Sequence, residues 1–130
     1  MEYSVKVIDS DLRVFEAHIK IIDESDGVTI ILKCLDGFEM CEKDTFPFVC
    51  FCKIRVILEA KGLKLCCKGS RKDVYPSGRM LVGFNAYLLR KGKQASSTDI
   101  LNIFEDETDF LSLSTVADQE NYYREWLVSL

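Results

Sequence analysis

Apolar and polar positions alternate along most of this chain, and a helical period replaces the alternation in two places. Residues 3–8 set Tyr3, Val5 and Val7 against Ser4, Lys6 and Ile8. Residues 12–22 set Phe15, Ala17, Ile19 and Ile21 against Glu16, His18 and Lys20. A period of two marks a half-buried strand. Asp9-Ser10-Asp11 turns between them, and Glu24-Ser25-Asp26-Gly27 signals a hairpin, because Asp-Gly accepts the positive φ of tight turns. Residues 28–34, rich in β-branched side chains, form a third strand that Asp36-Gly37 ends.

Residues 45–61 carry both periods. Lys53 and Arg55 among Val49, Ile54, Val56 and Ile57 suit a strand. A Thr45 cap, Pro47 in the first turn, Lys61 at the end and Gly62 just beyond it suit a helix, as does the length. The helix is the prediction. Leu63, Leu65 and Cys67 then alternate with Lys64, Cys66 and Lys68 in a short strand, and 69–78 is a polar loop. Residues 82–89 and 100–104 read as an antiparallel pair around a polar connection at 92–98. Thr115, with Asp118 three positions on, opens a last helix whose apolar stripe is Val116, Tyr123, Trp126, Leu127 and Leu130. The order β-β-β-α-β-β-β-α predicts one α+β domain over residues 1–130, an antiparallel sheet of about six strands packed by two helices.

With 130 residues, 48% of them apolar, the chain has material for a core without staples. Residues 1–9 lack the apolar region of a secretory signal, and no run of 18 apolar residues suits a membrane span. Cys50 and Cys52 lie within an apolar run and Cys66 and Cys67 are adjacent, so the six cysteines read as reduced. The expectation is a cytoplasmic protein.

Charge is sorted along the chain. Residues 1–52 carry 5 basic and 11 acidic side chains, 53–93 carry 11 and 2, and 94–130 carry 1 and 8. A basic middle between acidic flanks suggests surface fields of both signs, suited to steering a charged partner. Within the middle block, Arg71, Lys72, Tyr75, Ser77 and Arg79 on the 69–79 loop are candidates to hold an anionic metabolite or nucleotide, with Tyr75 stacking on a base. The plain alternative is a solvated connection, and neither a P-loop nor a Gly-x-Gly-x-x-Gly pattern is present. Nucleic acid is not the expected partner, because the acidic flanks would repel a polyanion and no RNA-binding aromatic motif accompanies the cations.

In the last block Glu105, Asp106, Glu107, Asp109 and Glu120 offer a docking surface for a basic protein, or else a solvated approach to a helix N-terminus. Calcium-loop spacing is absent. The cysteines lack the spacing of a zinc site, and His18 is the only histidine, so neither metal nor cofactor is expected. His18 lies on the polar side of a strand, where a structural role is commoner than a catalytic one.

Three segments carry a resemblance. These are Gly69-Ser70-Arg71-Lys72-Asp73-Val74-Tyr75-Pro76-Ser77-Gly78, Asn102-Ile103-Phe104-Glu105, and Tyr122-Tyr123-Arg124-Glu125-Trp126-Leu127-Val128-Ser129-Leu130. Together they resemble small bacterial cytosolic immunity proteins of polymorphic or contact-dependent toxin systems. The resemblance covers the second half of the chain and implies an acidic, non-enzymatic protein that occludes the active site of a cognate toxin domain. It supplies no family site residues.

Overall fold

The computed structural model describes all residues, Met1–Leu130. Its strands are β1 (Glu2–Ile8), β2 (Val14–Glu24), β3 (Gly27–Cys34), β4 (Glu39–Asp44), β5 (Lys64–Leu65), β6 (Val74–Tyr75), β7 (Asn85–Leu88) and β8 (Ile100–Asn102). Helix α1 (Pro47–Glu59) falls between β4 and β5, and α2 (Val116–Ser129) ends the chain. The fold is α+β, with antiparallel sheets of order β4-β3-β2-β1-β5 and β6-β7-β8.

Residues 45–61 are helical at their centre, as the length and the ending imply. Leu63 N–H donates to the Leu58 carbonyl and Gly62 N–H to the Glu59 carbonyl, both at 2.9 Å, with Gly62 at φ +74°. That pair of bonds is the Schellman ending, and it explains the glycine. Thr45 is not the cap. Phe46 takes that position, and its N–H donates to Asp44 Oδ1 at 3.0 Å.

Strand number and length differ from the alternation reading. β4 was not anticipated, because it buries only Met40 and its other residues are polar or a cysteine. The strand expected at 82–89 shortens to Asn85–Leu88, since Gly78–Val82 is a 3-10 turn. Val74 and Tyr75, inside the expected polar loop, pair with Leu88 and Tyr87. The later strands therefore form a second small sheet.

The large sheet has one wet face and one dry one, as antiparallel sheets commonly do. Val5, Val7, Ala17, Ile19, Ile21, Ile30 and Leu32 point inward and are buried. Against them α1 lays Phe48, Phe51, Ile54 and Leu58. Each fully buried side chain of this size contributes about 1.5–3 kcal/mol. Gly27 is fixed by crowding, because a Cβ there would lie 2.4 Å from the Asp44 carbonyl oxygen.

Thr115 Oγ1 accepts the Asp118 N–H at 3.1 Å and caps α2. Glu59 Oε1, from the last turn of α1, accepts the Val116 N–H at 2.7 Å, so one helix end satisfies the next helix start. The stripe expected on α2 is only partly buried. Trp126 is buried and Tyr123 half-buried, but Leu127 and Leu130 are exposed, and the most buried side chain of the helix is Gln119. No helix is long and apolar enough to cross a membrane.

Candidate functional site

The basic loop and the acidic segment neutralise each other. Arg71 Nε and Nη2 donate to both carboxylate oxygens of Asp73, at 2.8 and 3.0 Å, while Nη1 donates to Glu107 Oε1 at 2.7 Å. Lys68 Nζ reaches the same oxygen at 3.2 Å. Burial by itself would raise the Glu107 carboxyl. The bonds from Arg71, the Asp109 N–H and Lys68 outweigh it and hold the pKa at about 2. Asp73, with Glu107, pushes the Arg71 guanidinium upward. Further pairs join the basic block to its flanks: Lys53–Asp44 at 3.0 Å, Arg90–Asp99 at 3.6 Å and Lys91–Glu125 at 2.6 Å. Much of the charge sorting along the chain is thus resolved inside the fold.

This alters both sets of expected contacts. Glu107 is buried and triply bonded, so it is not presented to a partner. Glu105, Asp106 and Asp109 are exposed in one segment, and Glu120 lies apart on α2, paired with Arg124 at 2.8 Å. Of the loop candidates, Arg71 is engaged as described. Tyr75 is sandwiched, stacked on Tyr123 with centroids 4.1 Å apart and meeting Phe48 edge-on at 5.3 Å. Ser77 is half-buried, and of the five only Lys72 and Arg79 present exposed cations.

A second polar cluster was missed by sequence reasoning. Arg55 is buried on α1, its Nη1 donating to Gln119 Oε1 at 2.6 Å and to the Gly69 carbonyl at 3.3 Å, and its Nη2 to the Ser114 carbonyl at 3.1 Å. Gln119 Nε2 donates to the Gly69 and Arg71 carbonyls, both at 2.8 Å. Burial pulls the Arg55 pKa down. A glutamine in register with Tyr123 and Trp126 was the available signal.

The surface best suited to a partner lies where β1 passes into β2. Phe15 shares the inner face with Ala17, Ile19 and Ile21, yet it is 47% exposed, because α1 ends before reaching it. The uncovered sheet end forms a cleft of about 580 Å³ lined by Val7, Val14, Phe15, Cys34, Leu35 and Leu63. Asp9, Glu16, Asp36 and Lys61 rim it. A neighbouring cleft of about 300 Å³ shares Asp9 and Leu63 and runs to Phe110, whose chain neighbours include Asp109.

The turn beside the cleft holds an exposed leucine in an unusual conformation. Leu12 has φ +63° and is 65% exposed. For a residue with a Cβ the left-handed region costs roughly 1–2 kcal/mol. Asp9 stabilises it: Oδ1 accepts the N–H groups of Asp11 and Arg13, each at 2.9 Å, and the Asp9 carbonyl accepts the Leu12 N–H at 3.1 Å. With Val14, Phe15 and Leu35 also exposed, the sheet end presents an apolar patch bordered by carboxylates.

Groups with catalytic chemistry are dispersed. His18 lies on the wet face, Nε2 3.6 Å from Glu2 Oε1. All six cysteines are free thiols. Burial raises Cys34 and Cys52, and pushes Cys50 and Cys66 up to about 11. A thiol so shifted is a poor nucleophile at neutral pH. No group of three or more His, Cys, Asp or Glu side chains is arranged to hold a metal ion. No protein-family model matches the chain, and no curated protein is detectably similar to it.

Proposed function

We propose that this protein is a non-catalytic binding module of the immunity type, acting in the cytoplasm by covering a basic toxin domain with the acid-rimmed groove at the β1–β2 end. The observation that carries the reading is the exposed apolar patch of Val14, Phe15 and Leu35 around the cleft rimmed by Asp9, Glu16, Asp36 and the single cation Lys61, with exposed Leu12 on the adjoining cleft. Apolar side chains supply the area that association removes from water, and the rim carboxylates orient a cationic partner. The strained Leu12 turn supports it too, since held strain collects where a surface has a task. Glu105, Asp106 and Asp109, upstream of Phe110, extend the negative field, and Glu120 adds a more distant charge.

Holding an anionic ligand on the 69–79 loop is the weaker reading, because Arg71 and Tyr75 are already engaged. Co-expression with a panel of basic toxin domains, including any encoded beside this chain in its genome, tests the proposal. The wild-type chain protects the cell, and a Leu12→Ser/Phe15→Ser/Leu35→Ser variant does not. Equal protection by both would remove the groove from the account. Absence of protection, together with stabilisation by nucleotides or phosphorylated metabolites in a thermal-shift panel, would favour the loop.

A further inference from the structure

Strand β4 is the open edge of the large sheet, and its backbone parity can be read from the hairpin that leads into it. Cys34 N–H donates to the Phe38 carbonyl at 2.8 Å, so residues 34 and 38 form a hydrogen-bonded pair. Such pairs recur at every second residue of an antiparallel ladder. In the β3–β4 register they are Leu32 with Met40, Ile30 with Glu42 and Val28 with Asp44. The peptide groups of Glu39, Cys41 and Lys43 therefore point away from the sheet. Of these, the Lys43 carbonyl accepts Lys53 Nζ at 2.8 Å. The side chains of the same three residues are exposed on the wet face.

An unpaired edge is a template for another strand unless charge or geometry blocks it. Here the charges select a register. A second β4, related by a two-fold axis, can exchange ladder bonds only if outward residues face outward residues. Placing the axis on Cys41 sets Glu39 opposite Lys43 of the other copy, twice, and uses every outward residue. Moving the axis by one residue sets Met40 on itself and Glu39 opposite Cys41, or sets Glu42 opposite Glu42 with Cys41 opposite Lys43. Neither shift forms a Glu39–Lys43 pair, and opposite charges directly across a ladder are favourable while like charges are not.

The helix layer fits the same axis. Alongside β4, α1 exposes Val49, Lys53 and Val56, which with half-buried Cys52 and Glu42 line a shallow groove. α1 packs on both β3 and β4. With strands about 4.8 Å apart, a helix seated over that strand pair lies roughly 10 Å from its two-fold mate, the spacing of packed helices. Val49 and Val56, 37% and 51% exposed, would then cover each other.

We infer that β4 is a self-association edge: two copies of this chain join β4 to β4 about an axis through Cys41, making one ten-stranded sheet with α1 against α1. The interface uses no residue lining the groove at the β1–β2 end, so it stands or falls independently of the proposed partner. Lys53 leaves the Lys43 carbonyl and keeps Asp44, 3.0 Å away.

Sedimentation equilibrium in reducing buffer, with the chain at 5–200 µM (on the order of cellular to crystallographic concentrations), tests it. The wild type is expected to approach twice the 14.9 kDa chain mass. Lys43→Glu puts carboxylates opposite one another at two positions and should weaken association at least tenfold (about 1.4 kcal/mol). Glu39→Lys/Lys43→Glu restores opposite charges and should recover wild-type association within about twofold. In the hydrogen-bonded pair at the axis the two Cys41 Cα atoms would lie about 5.5 Å apart, within disulfide range. Oxidised glutathione, reduced in the exchange, should therefore crosslink the wild type but not Cys41→Ser, which still dimerises in reducing buffer. A wild type that stays monomeric throughout would overturn the inference. So would a double variant no better than Lys43→Glu, or crosslinking undiminished in Cys41→Ser.

Discussion

Arg55 and Gln119, 64 residues apart in the chain, share a 2.6 Å hydrogen bond in the interior, and that bond locks α1 to α2. Through the carbonyls of Gly69 and Arg71 the same two side chains also hold the segment that follows β5, and through that of Ser114 the approach to α2. No carboxylate lies within ion-pair distance of the guanidinium, so its charge rests mainly on carbonyl and amide dipoles, with Glu59 acting from farther away.

Removing one member of this pair leaves the rest unsatisfied. Gln119→Leu should lower unfolding stability by about 2–4 kcal/mol, since Arg55 loses its shortest acceptor and the Gly69 and Arg71 carbonyls, one buried and one partly so, lose a donor. Arg55→Met, close in volume and without the charge, should cost less in the Gln119→Leu background than in the wild type. Urea unfolding of the four proteins measures the coupling, and additive losses would contradict it.

Glu107 makes stability depend on acid. Its folded pKa of about 2 lies below the 4.5 of a free glutamate. Its contribution is therefore complete above pH 4.5 and disappears as pH falls toward 2, amounting to on the order of 3 kcal/mol. Chemical unfolding at pH 7, 4 and 2.5 should show that loss. Glu107→Gln should be less stable at pH 7 and flatter over the window, and parallel curves for the two proteins would refute the assignment.

The Leu12 turn separates stability from binding. Leu12→Gly relieves a left-handed leucine and loses little burial, so the folded state should gain about 1 kcal/mol. Partner affinity should fall, since the exposed side chain is gone. A glycine variant that is less stable, or that binds as well as wild type, would show that the strain serves no docking role.

The periodicity made the main elements legible for a physical reason. β1 and β2 bury a face with a clean period of two, so Val5 and Ile19 announce their positions, whereas β3 shows in its β-branched content and α1 in its length, Pro47 and Gly62. β4 hid because an edge strand beside one helix needs only Met40 inside. The second sheet hid because Val74 and Tyr75 are two apolar residues in a charged loop, too short for a period to emerge. Charge misled most: the sorted blocks suggested opposed surface patches, but Lys68, Arg71 and Glu107 meet across about forty residues. Phe15 shows the limit of pattern reading. Alternation assigns it correctly to the inner face, but nothing local reveals that α1 stops short of it.

The claim that this chain works by docking a basic protein on its uncovered sheet end is tested most directly by affinity capture from the native cell, comparing the immobilised wild type with the Leu12→Ser/Phe15→Ser/Leu35→Ser variant. The account predicts one basic protein retained by the wild type, released as salt rises and absent from the variant. Equal retention by both, or a retained partner that is acidic and insensitive to salt, would contradict it.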